Sequence, residues 1–212
     1  MLTVSYLFFI VYLSLVVVAI KPVIGQLKQK KIQHLVFGVA ASLSVLWWFR
    51  AGIYDGLDVH FLWLTAATLT LGWRWALVSS AIAAMVMVGM GHLELQEFGS
   101  YGLLSCALPI GFSYFAYMFA YHKLPRHFFV YIFFCSFFIG ACCIALKMFV
   151  NALYLQNMDL YSWTLLVDNY LVLIPLLLFP EGLLNGMTMT LLVIYKPDWV
   201  KTFFDNQYLD NK

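Results

Sequence analysis

The sequence predicts an all-α, polytopic membrane protein of about seven transmembrane helices, with the N-terminus outside and the C-terminus in the cytoplasm. Three observations predict it. First, 64% of the 212 residues are hydrophobic and only 10% are charged, against roughly 25% charged in soluble proteins. So few charges cannot cover the surface of a water-soluble globule of this size. Second, the apolar residues gather into runs close to the ~20 that cross a bilayer as a helix. Third, the basic residues divide unevenly between the ends of those runs, which is the signal that sets membrane orientation.

The first run, residues 2–20, carries no charge, and its basic residues follow it at Lys21, Lys28, Lys30 and Lys31. A signal peptide has its basic segment ahead of the apolar one, so this run is expected to be a retained first helix. Further runs lie at about 34–49, 59–72, 75–91, 102–121, 127–149 and 174–195. The third is short, bounded by Asp58 and by Gly72-Trp73-Arg74, and reads as a tilted or partly buried helix. Segment 160–173 mixes Tyr161, Trp163, Asp168 and Tyr170, as an interfacial helix or loop leading into the last span would.

With seven spans and the N-terminus outside, Lys21, Lys28, Lys30, Lys31, Arg74, Lys123, Arg126, Lys196, Lys201 and Lys212 fall inside. Only Arg50 and Lys147 fall at outer ends. Residues 1–212 are therefore expected to form a single integral membrane domain, multi-pass in the inner (plasma) membrane, whose principal partner is the lipid bilayer. A net charge of +2 with scattered basic residues excludes a nucleic-acid partner. Cys106, Cys135, Cys142 and Cys143 all lie in apolar runs without metal-ligand spacing, and read as packing residues.

Enzyme motifs are missing. The sequence has no Gly-x-Ser-x-Gly, no His-Glu-x-x-His and no Gly-x-x-x-x-Gly-Lys-[Ser/Thr]. No catalysis and no cofactor are expected, and any ATP hydrolysis must come from another chain.

Three places carry polar chemistry. His60 follows Asp55 and Asp58 at the outer start of the third run. Imidazole with carboxylates suits a borderline divalent ion, and equally a histidine bonded to Asp55 or Asp58 where the helix begins. His92, with Glu94 and Glu97 after it, is either a further ligand beside a cation-gathering acidic surface or part of a solvated turn. Glu181 sits inside an apolar run, after Pro180 and four residues before Asn185. A carboxylate at that depth needs a partner or a polar cavity. Arg50 and Arg74 are the candidate partners, a local helix break at Pro180 is expected, and Asn185 shares the Glu181 face. Gly182 and Gly186 form a G-x-x-x-G, a spacing that lets helices approach closely.

The stretches GLDVHFLWLTAATLTLGWRWALV and FPEGLLNGMTMTLLVIYKPDWV resemble the Gly-x-x-x-His segment and the closing Glu-Gly helix of the M-type substrate-capturing subunits of energy-coupling-factor cobalt and nickel transporters. LPRHFFVYIFF and the C-terminal stretch are similar to a proteobacterial branch of permease-like proteins. The likeness covers roughly residues 30–205. It implies about seven helices, a Ni²⁺ or Co²⁺ bound as substrate near the outer face, and association with a transmembrane coupling subunit and ATPases. It also implies that His60 is a metal ligand.

One feature departs from the resemblance. Such subunits begin Met-His-Ile and use the N-terminal amine and that histidine on the metal, whereas this chain begins Met1-Leu2-Thr3. Either the Met1 amine still turns inward, or His60 recruits Asp55, Asp58 or His92, or metal binding is lost. The expected function is a substrate-binding permease subunit for divalent transition-metal uptake. The alternatives are a metal-free membrane scaffold or assembly partner, and a transporter of a small organic solute.

Overall fold

The computed structural model describes residues 2–52, 54 and 56–203, with side chains from Val4 onward. The described residues are almost wholly helical, and no strands form beyond one isolated antiparallel bridge between Ala51 and Val59. This is the helical membrane fold expected, because a backbone in lipid must satisfy its own hydrogen bonds. Helix α1 spans Leu2–Ile20, α2 Lys30–Trp48, α3 Leu64–Leu71 and α4 Trp73–Gly89. Two long helices follow, α5 over Phe98–Lys123 and α6 over Val130–Asn157. A short α7, Trp163–Asn169, and a 3₁₀ turn at Leu171–Leu173 lead into α8, Ile174–Tyr195. By length and composition, α5, α6 and the run Trp163–Tyr195 are each able to cross a membrane, and α1 and α4 are shorter apolar helices.

The third apolar run differs most from expectation. Only Leu64–Leu71 is helical, about 12 Å at 1.5 Å per residue. Residues 57–63 ahead of it are not helical. All eight residues of α3 are buried, and the helix is ringed by α4, α5, α6 and α8. Its composition explains this position: Thr65, Ala66, Ala67, Thr68 and Thr70 are small enough on every side for four neighbours to close in.

A short buried helix leaves unpaired N–H groups at one end and carbonyls at the other. The C-terminal quarter of the chain satisfies both. At the start of α3, α8 supplies Glu181 and Asn185. At its end, the Lys201 N–H donates to the Thr70 carbonyl (3.0 Å) and the Thr202 hydroxyl to that of Leu69 (2.7 Å).

Close helix approaches rest on glycines. A Cβ on Gly99 would overlap the Phe9 backbone, and one on Gly102 the Tyr12 ring, so α1 lies directly on the start of α5. Gly182 faces the Phe137 carbonyl of α6, where a Cβ would come within 2.8 Å. The G-x-x-x-G of α8 thus packs within the chain. The α8 helix continues through Pro180 without the expected break. Segment 160–173 is helical from Trp163, with the Ser162 hydroxyl accepting from the Leu165 N–H (3.4 Å).

Candidate functional site

A cavity of about 280 Å³ opens where the C-terminal ends of α2, α4 and α6 meet the start of α5. Its walls include His60, Asp58, Arg50, His92, Tyr101 and Lys147, with Glu94 and Glu97 at the exposed margin. His60 is almost completely buried, at 4% exposure. Its Nε2 lies 2.9 Å from the Tyr101 hydroxyl, and its ring packs edge-on to Trp47. Its Nδ1 is buried with no hydrogen-bond partner. When Nε2 carries the proton and donates to Tyr101, Nδ1 presents a free lone pair, the arrangement in which imidazole binds a metal.

Tyr101 reaches His60 from an unusual backbone. The first part of α5, Tyr101–Ala107, is π-helical, a geometry rare in proteins and often found at functional sites. Trp47 holds the other side, its indole N–H donating to the Leu62 carbonyl (3.4 Å). In this connecting segment, outside the spanning helices, burial pushes the His60 imidazole well below the usual histidine range, and the charges of Lys147 and Arg50 push the same way. The ring is therefore neutral near pH 7, the form that ligates metals.

Glu181 sets where His60 sits. The Leu62 N–H donates to its Oε2 (2.9 Å) and the Trp63 N–H to its Oε1 (2.8 Å). Asn185 Nδ2 donates to the same Oε1 (2.8 Å), and Asn185 Oδ1 accepts from the Ala66 N–H (2.8 Å). One turn further on, the Thr188 hydroxyl accepts from the Trp63 indole (2.8 Å). Glu181, Asn185 and Thr188 form one face of α8, and that face anchors the chain two residues after His60. Neither Arg50 nor Arg74 is the partner of Glu181. Backbone amides take that part, because Trp63, the N-cap residue just before α3, has φ +54° and no capping side chain of its own.

The remaining sequence-derived candidates divide. Asp58 forms an ion pair with Arg50 Nη1 (3.2 Å), and its own carbonyl accepts from Lys147 Nζ (3.3 Å). His92 lines the cavity, but its ring packs edge-on against Trp48, at 4.6 Å between centroids. Its carbonyl accepts from Arg50 Nη1 (2.9 Å). Met1 and Asp55 lie outside the described residues. Among the described residues, no three His, Cys, Asp or Glu side chains gather as a metal-holding group.

Sequence reasoning missed four contributors: Trp47, Tyr101, Arg50 and Lys147. Arg50 entered it as a marker of orientation and a candidate partner of Glu181, and Lys147 only as a marker of orientation. Lys147 carried a legible signal, since a lysine inside an apolar run is a functional candidate for the same reason as a buried glutamate. It is 3% exposed and donates to the Tyr170 hydroxyl (3.2 Å). Tyr101 carried none, because nothing in a tyrosine's sequence neighbourhood marks it as a partner for a histidine 41 residues away.

The fold recurs in known structures. Two crystal structures, of a truncated transition metal transporter and of a transition metal transporter, superpose on 93% of this chain with a TM-score of 0.73. The matches cover 95% and 89% of those chains, at 17% and 16% sequence identity. No curated protein matches the sequence. The family model of CbiM, the cobalt uptake substrate-specific transmembrane region, matches residues 1–199. The chain therefore belongs to that family, as a multi-pass membrane component of a transporter complex and not an enzyme.

Proposed function

We propose that this chain is the substrate-binding permease subunit of an uptake system for a divalent transition metal, cobalt or nickel, energised by partner ATPase subunits through a transmembrane coupling subunit. The single observation that carries this reading is the His60 imidazole. It is buried at the cavity, oriented by Tyr101, and has an unpartnered Nδ1. The likeness to a transition metal transporter supports the same reading. The charge distribution of the sequence supports an orientation with the cavity facing outward, in the inner membrane. The lack of a phosphate-binding loop supports a need for separate ATPases.

The test is metal content by mass spectrometry on the detergent-purified protein and on His60→Ala, after incubation with Ni²⁺, Co²⁺ and Zn²⁺ in turn. One equivalent on the wild type, lost from His60→Ala, is expected and names the ion. No metal on either protein would retire this reading and favour a metal-free scaffold.

A further inference from the structure

A second cavity, of about 450 Å³, opens at the opposite ends of α4 and α5 from the cavity beside His60. Its wall carries Arg74, His122 and Lys201 and, among the described residues, no carboxylate. All three side chains belong to exposed residues, so each is open to a ligand. Arg74 stacks its guanidinium on the neighbouring Trp73 ring, 4.7 Å from the centroid. Among the described residues, neither Arg74 nor Lys201 is paired with an acid.

The backbone fixes where these charges sit. The Lys201 N–H is held on the Thr70 carbonyl. Its side-chain stem lies against Gly72, with Cδ 3.8 Å from where a Cβ there would stand. Gly72 is the N-cap of α4, which has neither a capping side chain nor an acid in its first turn. The positive end of the α4 dipole therefore adds to two permanent cations. Desolvation lowers the Lys201 pKa below the usual lysine range, as it does for a cation partly withdrawn from water.

The rest of the wall is apolar and aromatic. Tyr114, Tyr117 and Tyr121 line it at i, i+3 and i+7 of α5, with successive ring centroids 6.2 and 6.0 Å apart. Val23, Leu71 and Met118 also line it. From His122 back to Tyr114 the wall runs about 12 Å along the helix. A small hydrophilic anion would use only the charged end of such a space. An occupant with an anionic end at the membrane surface and an apolar body beneath it would use all of it. Basic pockets between spanning helices take anionic lipid headgroups through this division, and tyrosine favours the same depth.

We propose that this cavity binds an anionic phospholipid, its phosphate held by Arg74 and Lys201 at the start of α4 and its glycerol and upper chains lying along Tyr114, Tyr117 and Tyr121. A guanidinium is suited to paired phosphate oxygens, and an ammonium binds phosphate as a point charge. The site is separate from the His60 cavity and does not depend on metal uptake.

The test is native mass spectrometry of the full-length protein in mild detergent, titrated with dioleoylphosphatidylglycerol, dioleoylphosphatidylcholine or inorganic phosphate. The phosphatidylglycerol is expected to bind at least tenfold more tightly than either of the others. The double variant Arg74→Gln/Lys201→Gln is expected to lose that preference, and Lys30→Gln/Lys31→Gln, exposed at the start of α2, to keep it. Melting temperatures are recorded alongside, and the three-probe comparison on the wild type stands even if a variant fails to fold. Equal binding of the two lipids, or phosphate binding as tightly as phosphatidylglycerol, would overturn the proposal. So would an equal loss in Lys30→Gln/Lys31→Gln, which would mean diffuse attraction to a basic surface. Displacement of the lipid by equimolar hexaglutamate would reassign the cavity to an acidic segment of a protein partner. A lipid preference seen only in Asp205→Asn/Asp210→Asn would reassign it to acids of this chain that lie outside the described residues.

Discussion

Glu181 Oε1 accepts the backbone N–H of Trp63 at 2.8 Å, joining α8 to the N-cap residue of α3 across 118 positions of sequence. The contact turns an expensive buried carboxylate into the cap of a buried helix. It also fixes the backbone just beyond His60, so the stability of the fold and the geometry of the cavity depend on the same side chain.

Replacing Glu181 separates those roles. Glu181→Ala leaves the Leu62 and Trp63 amides unsatisfied in a buried setting, at about 1–3 kcal/mol each. Glu181→Gln keeps one acceptor oxygen and loses the second. Thermal unfolding in detergent is expected to rank wild type above Gln and Gln above Ala. Equal melting temperatures for all three would mean that these amides find other partners.

Tyr101→Phe removes a hydroxyl and leaves the ring packed against Trp47, 5.6 Å away between centroids. The fold is expected to melt within a few degrees of the wild type. Metal affinity is expected to fall about 10- to 100-fold, the usual cost of losing the group that orients a ligating histidine. Titration of the variant with Ni²⁺ checks this, and unchanged affinity would remove Tyr101 from the site.

Gly99 and Gly38 make a matched pair of glycine substitutions. Gly99→Ala drives a methyl into the Phe9 backbone, whereas nothing lies within 4 Å of a Cβ on Gly38. The first is expected to cost about 1–3 kcal/mol by overpacking. The second is expected to be neutral or slightly stabilising, since alanine is the better helix former by about 1 kcal/mol. Melting curves that failed to separate the two would show that α1 does not rest on α5 through Gly99.

Orientation is open to chemical labelling. Glu94 is exposed at the cavity margin, and His122 lies near the end of α5, away from that margin. In a background without native cysteines, Glu94→Cys is expected to react with a membrane-impermeant maleimide in intact cells. His122→Cys is expected to react only after permeabilisation. The reverse pattern would place the cavity on the cytoplasmic side.

The helical membrane character was legible in the sequence, because the length of an apolar run and the position of charges beside it are local properties that the bilayer reads directly. The cost of burying Glu181 was legible for the same reason, as was the candidacy of His60 at the start of the third apolar run. Tertiary structure decided their partners. Backbone amides of residues 62 and 63 answer Glu181 because α3 is too short and too deeply enclosed to cap itself. The third apolar run is mostly non-helical at its start for a related reason: its first residues take up connections to Trp47 and α8 in place of helical ones. Tyr101, Arg50 and Lys147 converge on one cavity from α5, the end of α2 and α6. No local pattern carries that convergence, since it depends on which helix faces lie together after the glycines at 99, 102, 140 and 182 have let the helices close.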